Sequence, residues 1–219
     1  MTNQTRTWSE ASQIFLDQDA SNLKTPLNTI LHLSDELHSD ESLTQNQREK
    51  TNQIRFSANR LLEIFDDFLL LGRLETGTWK ANVEPIDLRD LLEKEQSSKP
   101  IQISFHIASN LSLVQADKFA LQYTIAQCLN LDLQMKQVDI VVERDGNWIK
   151  LQFVCYPCQI NQTDIDEMNN FQTHKVVHFG MRFIVTSLLI QVMNGQFTLE
   201  NIDGSKAQIT IMLPYIDNG

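Results

Sequence analysis

Glycine is scarce in this sequence, at 7 of 219 residues, where an average protein carries about 7%. A protein built on glycine-rich loops that cradle phosphate is therefore not expected. Cysteine is scarcer still. Three thiols, an odd number, give no disulfide framework and fit reduced side chains in the cytoplasm. No apolar run approaches the roughly 18–20 residues of a membrane span. Met1-Thr2-Asn3-Gln4-Thr5-Arg6 opens the chain without the apolar core of a signal peptide. Positive charge is also in deficit: Lys+Arg 18 against Asp+Glu 28 leaves a net charge of -10. Such a surface repels phosphate backbones and anionic lipid, so neither nucleic acid nor membrane is an expected partner. What remains is an ordinary soluble composition, 42% hydrophobic and 21% charged, in a chain long enough for one large domain or two small ones.

Two heptad-like patterns fill the first third. Leu16, Ala20, Leu23, Leu27, Ile30, Ser34 and Leu37 step by fours and threes, the spacing of a helix packed lengthwise in a bundle. Pro26 falls inside this run, removes one backbone hydrogen bond and is expected to kink the helix. His38-Ser39-Asp40-Glu41-Ser42 is a polar break. Ile54, Ala58, Leu61, Phe65 and Phe68 then form a second seam, widened by Leu62 and Leu69. Two amphipathic helices joined by a short turn make a hairpin. One hairpin leaves much of its apolar stripe uncovered, and pairing with a second copy into a four-helix bundle covers it.

Near residue 80 the period changes. Residues 87–95 read as a short helix, and Ile101, Ile103, Phe105 and Ile107 alternate with polar residues as in a half-buried strand. Residues 117–133 read as a helix. Val138, Ile140 and Val142 alternate, and Asp145-Gly146-Asn147 turns the chain into Ile149, Leu151 and Phe153, a β-hairpin. After a polar stretch comes an apolar helix from about Met181 to Met193, stopped by Asn194-Gly195. Phe197 and Leu199, then Ile209, Ile211 and Leu213, give a last strand pair turned at Asp203-Gly204. That order suits one sheet with helices packed on a single face. The expected class is α+β: residues 1–80 form a helical hairpin that dimerises as a four-helix bundle, and residues 81–219 form a two-layer α/β sandwich.

The stretch Ala20-Ser21-Asn22-Leu23-Lys24-Thr25-Pro26-Leu27-Asn28 resembles the H-box of sensor histidine kinases, a run close to Ser-His-Glu-Leu-Arg-Thr-Pro-Leu-Asn. Leu23, Lys24, Thr25, Pro26 and Leu27 carry the likeness. Ser21 stands where the phospho-accepting His belongs, and Asn22 replaces its acidic neighbour. Leu74-Glu75-Thr76-Gly77 and Glu84-Pro85-Ile86-Asp87-Leu88-Arg89-Asp90-Leu91-Leu92 resemble the family's linker into its ATP-binding domain. The second half matches the two-layer fold of the histidine-kinase and Hsp90-type ATPase domain.

The resemblance also implies where a nucleotide would bind, and there the residues change. Counting from Asp117, the family's Asn-Leu-Leu-x-Asn-Ala run falls on Gln127-Cys128-Leu129-Asn130-Leu131-Asp132. Leu131 cannot serve a hard cation, which requires oxygen ligands, and Asn130 supplies its amide one residue early. The Asp-x-Gly-x-Gly-Ile run falls on Cys155-Tyr156-Pro157-Cys158-Gln159-Ile160. Cys155 cannot act as the carboxylate acceptor for adenine, and Pro157 is fixed in φ where Gly was free. The Gly-x-Gly-Leu run falls on Gly180-Met181-Arg182-Phe183, with one glycine kept. ATP binding of the family's kind is not expected, and neither cofactor nor metal.

The chemistry left on the hairpin follows. The hydroxyl of Ser21 is a weak nucleophile without a base, and Asn22 takes no proton. Thr25 matches a position that, in the family, resembles a water-orienting group for hydrolysis of a response regulator's aspartyl phosphate. That reaction draws on the regulator's own Mg²⁺ and carboxylates. His32 lies eleven residues beyond Ser21 on nearly the same face, and His38 lies on the same helix. Cys155 and Cys158 form a C-x-x-C that is a redox pair or half a zinc site elsewhere, with His174 and His178 the nearest further ligands.

The expected protein is thus a catalytically degenerate relative of the sensor histidine kinases, a cytoplasmic homodimer or a heterodimer with an intact kinase. It would bind a response-regulator receiver domain or a partner kinase through Ser21, Asn22, Thr25, Asn28 and His32. The alternatives are an aspartyl-phosphate phosphatase assisted by Thr25 and phosphotransfer through His32 or His38. With no sensory or spanning segment in the sequence, input is expected from a partner or from a portion of the protein outside this sequence.

Overall fold

A computed structural model describes residues 20–98, 101–108, 111, 113–130, 135–169 and 181–215. The chain divides into two compact units between Trp79 and Lys80. The first holds α1 (Ala20–Ser39) and α2 (Gln45–Glu75). Helix α1 runs on through Pro26, which has no N–H to offer the carbonyl of Asn22. The turn is tied by the Arg48 guanidinium, which donates to the carbonyls of His38 (3.2 Å) and Asp40 (3.0 Å). Thr44 then starts α2 with a capping box: its hydroxyl accepts from the Gln47 N–H, and the Gln47 side chain accepts from the Thr44 N–H. Past its C-terminus Gly77 sits at φ 66, a left-handed conformation that favours glycine.

The two helices are held by a Lys24–Asp66 ion pair and an Asp35–Arg55 ion pair at 3.4 Å. Their shared seam is thin. Ser34, Thr51, Ala58 and Leu69 are buried, Leu27, Leu31 and His38 are half-buried, and Phe65 packs on Leu69. The single seam expected on α1 therefore separates into two stripes. Leu27 and Ser34 turn toward α2, while Leu23, Ile30 and Leu37, with Leu33, remain 43–52% exposed. A helix in a four-helix bundle has neighbours on two sides, so one apolar set meets the hairpin partner and the other faces outward.

The second unit begins with β1 (Val83–Asp87), α3 (Leu88–Ser98), β2 (Gln102–Ile107), β3 (Leu113–Asp117) and α4 (Lys118–Cys128). It continues with β4 (Gln137–Asp145), β5 (Trp148–Tyr156), α5 (Gln162–Asn169), α6 (Met181–Val192), β6 (Gln196–Asp203) and β7 (Lys206–Pro214). Five strands form a mixed sheet in the order β2-β4-β5-β7-β6, parallel only between β2 and β4. Its inner face is apolar: Val138, Ile140, Val142, Leu151, Phe153, Ile209 and Ile211 are at most 1% exposed. Helices α4 and α6 pack against each other and bury Leu121, Ile125, Val185, Leu189 and Ile190.

Three differences from expectation have local causes. The sheet is not single: β1 and β3 form a separate antiparallel ribbon, Val83 opposite Asp117. Residues 83–87 and 113–117 are too short and too polar to alternate visibly. The helix expected from Asp87 starts at Leu88, because the Asp87 carboxylate accepts from the N–H groups of Arg89 (2.9 Å) and Asp90 (3.2 Å). The helix expected over 117–133 is α4, ending at Cys128, with Leu129 as its C-cap. Asp117 is its N-cap, and its other oxygen accepts from the Asn82 N–H at 2.7 Å.

Candidate functional site

The hairpin has two distinct flanks. At 3.6 residues per turn, Thr25, Asn28, His32 and Asp35 fall within about 80° of one another on α1. Asn22, Thr25, Asn28 and His32 are all exposed. Leu23, Ile30, Leu33 and Leu37 lie roughly opposite, with the buried seam toward α2 between the two sets. On α2 the exposed residues Ile54, Leu61, Ile64 and Phe68 repeat the same spacing of seven, three and four. Both apolar stripes lie on one flank of the hairpin, and Thr25, Asn28 and His32 lie on the other, whereas Asn22 falls about 20° from Leu33.

Chemistry on the polar flank is modest. Ser21 is helical, and its side chain lies outside the described residues. Thr25 presents a hydroxyl that can orient water but not accept a proton. The His32 imidazole faces Glu36 across 3.4 Å and is 73% exposed. His38 is half-buried, its Nδ1 buried without a hydrogen-bond partner, at the end of the seam. Of the two histidines, His32 is the one a macromolecular phosphate donor can reach.

In the second unit the positions assigned to a nucleotide site are scattered between core and surface. Gln127 is half-buried one residue before the end of α4. Asn130 is exposed in the turn after the helix, its N–H donating to the Gln127 carbonyl. Leu131 and Gly180 lie outside the described residues, as do His174 and His178. Cys155 is in β5 between Val138 and Ala207, on the same inner face as Phe153, and is 0% exposed. Pro157 and Gln159 are exposed, Cys158 is buried, and Arg182 is half-buried in the first turn of α6.

All three cysteines are buried thiols. Burial, with the nearby Cys155 adding to it, raises the pKa of Cys128 well above that of an ordinary thiol. Buried thiols of this kind are unreactive. Among the described residues no group of three or more His, Cys, Asp or Glu side chains is placed to hold a metal ion. A shallow cavity of about 290 Å³ lies instead beside the ribbon, lined by Asn82, Glu84, Asp117, Lys118, Phe119 and Gln122.

Two features escaped the sequence. Asn201 brackets the backbone of Ile160, its amide donating at 2.7 Å and accepting at 3.1 Å. Asn169 does the same to Leu199 at 2.7 and 3.0 Å. Side-chain amides thus stand in for a neighbouring strand along β6, and nothing in a single asparagine's sequence context signals it. Phe56, 68% exposed, was the other. Its signal was present, an aromatic residue outside both seams and flanked by Arg55 and Ser57.

A two-helix hairpin followed by a helix-backed mixed sheet is an arrangement that known proteins share. Residues 22–77 match the His Kinase A (phospho-acceptor) domain. An uncharacterized sensor-like histidine kinase of Rhizobium meliloti is 20% identical over 94% of this chain and 43% of its own length. The signal transduction histidine-protein kinase BarA of Escherichia coli is 24% identical over 88% of this chain and 24% of its own. The crystal structure of full-length ShkA in complex with AMPPNP superposes with a TM-score of 0.75, at 20% identity, over 93% of this chain and 46% of that one. The Acinetobacter baumannii histidine kinase AdeS gives 0.59 at 17% identity, over 90% and 98%. Residues 22–77 thus match the His Kinase A family, and the chain over most of its length is similar to sensor histidine kinases and shares their fold. It spans less than half the length of the two curated relatives. Among the described residues no helix is long and apolar enough to cross a membrane.

Proposed function

We propose that this chain is a histidine-kinase-like signalling protein that binds instead of phosphorylating. In this reading it pairs through the apolar flank of its hairpin and docks a response-regulator receiver domain on the polar flank, around Ser21, Asn22, Thr25, Asn28 and His32. HisKA domains dimerise, and histidine kinases act with response regulators. The observation that carries the reading is the segregation of the hairpin surface. Eight exposed apolar side chains share one flank, and Thr25, Asn28 and His32 share the other, so self-pairing leaves that polar flank accessible. Loss of kinase chemistry is supported by residue type. Ser21 and Asn22 lack a competent nucleophile and base, and Cys155 fills a fully buried position where the family's adenine-binding carboxylate is expected.

A second reading is favoured by the exposure of Thr25, with Asn28 one turn on: hydrolysis of the regulator's aspartyl phosphate with Thr25 orienting water. The exposure of His32 admits a third, phosphotransfer through that residue. Mixing the purified protein with aspartyl-phosphorylated receiver domains of its source organism separates these. Tight binding with slowed phosphate turnover is the expected result. Accelerated loss abolished by Thr25→Ala would establish a phosphatase, and label appearing on His32 would establish phosphotransfer. Micromolar Mg-ATP affinity would overturn the account of the second unit.

A further inference from the structure

We infer that the second unit carries a site for a small zwitterion, an α-amino acid with an apolar side chain, in the groove between β1, α3 and α4. The site shares no residue with the hairpin or with the positions assigned to a nucleotide, so it stands or falls independently of the docking reading.

Two cavities adjoin there. One of about 290 Å³ is bordered by Asn82 and Phe119, and the other, of about 120 Å³, by Ile86 of β1 and Leu91 of α3. Glu84, Lys118 and Gln122 line both. The other charged groups around them are already engaged. Asp117 caps α4 and accepts from the Asn82 N–H, Asp87 accepts from the N–H groups of Arg89 and Asp90, and Asp90 pairs with Lys94 at 2.8 Å. Glu84, Lys118 and Gln122 differ: none of the three makes a hydrogen bond or ion pair among the described residues. One groove thus holds a carboxylate, an ammonium and an amide with nothing to bind but water. A cationic ligand would match Glu84 and leave Lys118 opposed to it, and an anion would do the reverse. A ligand bearing both charges satisfies both groups through charge-assisted hydrogen bonds, the stronger kind. The Gln122 amide, donor and acceptor at once, can serve either end. Apolar surface sets the remainder of the ligand. Ile86 and Leu91 are 6% and 4% exposed along the smaller cavity, and the Phe119 ring, 51% exposed, borders the larger. Sites for drug-sized ligands occupy about 300–1,000 Å³, so cavities this small suit a ligand of amino-acid size.

The test titrates the whole chain with L-leucine and L-phenylalanine, followed by backbone amide chemical shifts. Saturable binding with a dissociation constant of about 1 mM is expected, with the shifts centred on β1, α3 and the first turns of α4. N-acetyl-leucine lacks the ammonium and leucinamide lacks the carboxylate, so each should bind about tenfold more weakly than leucine. Glu84→Gln and Lys118→Met should each weaken leucine by a similar factor. Both positions are exposed, so thermal melting of the two variants should match that of the wild type. Glu143→Gln, on β4, should leave the affinity unchanged. No saturation by either amino acid, or shifts centred elsewhere, would overturn the site. Equal affinity for N-acetyl-leucine or leucinamide would overturn the zwitterion as its ligand. Wild-type affinity in both Glu84→Gln and Lys118→Met would overturn the roles given to these side chains.

Discussion

Leu61→Ala tests the apolar flank most directly. In the single chain Leu61 is 52% exposed, so about half of its hydrophobic contribution is still to be gained. Full burial of a leucine stabilises by about 1.5–3 kcal/mol, and half of that is about 1 kcal/mol. A two-fold interface contains the residue twice, so the substitution removes about 2 kcal/mol per dimer. That is about a thirtyfold rise in the dimer dissociation constant. Any cavity the partner cannot fill adds to it. Within one chain the same change should cost no more than the half already realised, about 1 kcal/mol. Sedimentation equilibrium measures the constant, and a melting temperature that rises with protein concentration is a second reading of the same linkage. Asn52→Ala, on the polar flank, serves as the control. A wild-type chain that stays monomeric at high concentration, or a dimer as tight in Leu61→Ala as in wild type, would refute the assignment of this flank.

Other consequences concern the second unit. Cys155→Asp, which introduces the carboxylate that the proposed correspondence with the family expects, places a charge at a fully buried position and should destabilise by about 3 kcal/mol or more without creating nucleotide affinity. Urea unfolding and Mg-ATP titration check this, and a stable variant that binds nucleotide would show that the position opens onto a working site. Asp117→Ala removes the acceptor for both Ala120 and Asn82 and should cost about 2 kcal/mol, with Asp117→Asn recovering part, as read by thermal melting. Hydrogen bonds from Ser104 first and Gln137 second hold the Asp139 carboxyl below its ordinary value. A lowered carboxylate pKa contributes stability above its unfolded value of about 3.9, and that stability is lost as pH falls through the lowered folded value. Ser104→Ala should therefore raise the titration midpoint of Asp139, followed by carboxyl-carbon NMR, and shift acid unfolding to higher pH. An unmoved midpoint would remove Ser104 as the cause.

Long periodic elements were legible because burial on one face repeats with the backbone. The hairpin, β4, β5, β7 and α6 all carry that signature, and Asp145-Gly146-Asn147 announces its turn through Gly146 at φ 59. Short elements were not. In β1 only Ile86 is buried, so its sequence carries no alternation, and Pro85 argues against a strand unless the strand is an edge. Helix α5 shares its composition with the polar stretch around it. The seam on α1 was read as one line because heptad spacing gives the period of an apolar stripe and not its width. Leu23 and Leu27 obey the same rule yet face different neighbours. At the candidate nucleotide site the substitutions at Cys155 and Pro157 were readable as residue types. That Cys155 would lie wholly within the sheet core while Pro157 and Gln159 lie at the surface depends on where β5 ends, which the sequence does not mark.

On the proposed reading, the hairpin's two flanks also bear on how a chain could lose an enzyme's chemistry and keep its shape. An active site constrains particular atoms, whereas packing constrains only size, polarity and period. Ser21 falls outside the four-and-three spacing of the seam, so the apolar pattern does not require any particular side chain there. Replacing Leu27, Ala58 or Leu69 would act on the few residues that hold α1 to α2. Selection for pairing and docking alone would therefore preserve Leu23, Thr25, Pro26, Leu27 and Asn28 as packing and surface residues while leaving the nucleophile position free to drift. The same reasoning covers the second unit. Its sheet keeps an apolar inner face along β4, β5 and β7, and Cys155 extends that face by one residue. A carboxylate there is useful only when a nucleotide repays its burial. In a chain without that ligand, a small apolar thiol is the more stable occupant, and the sheet closes over the position as ordinary core.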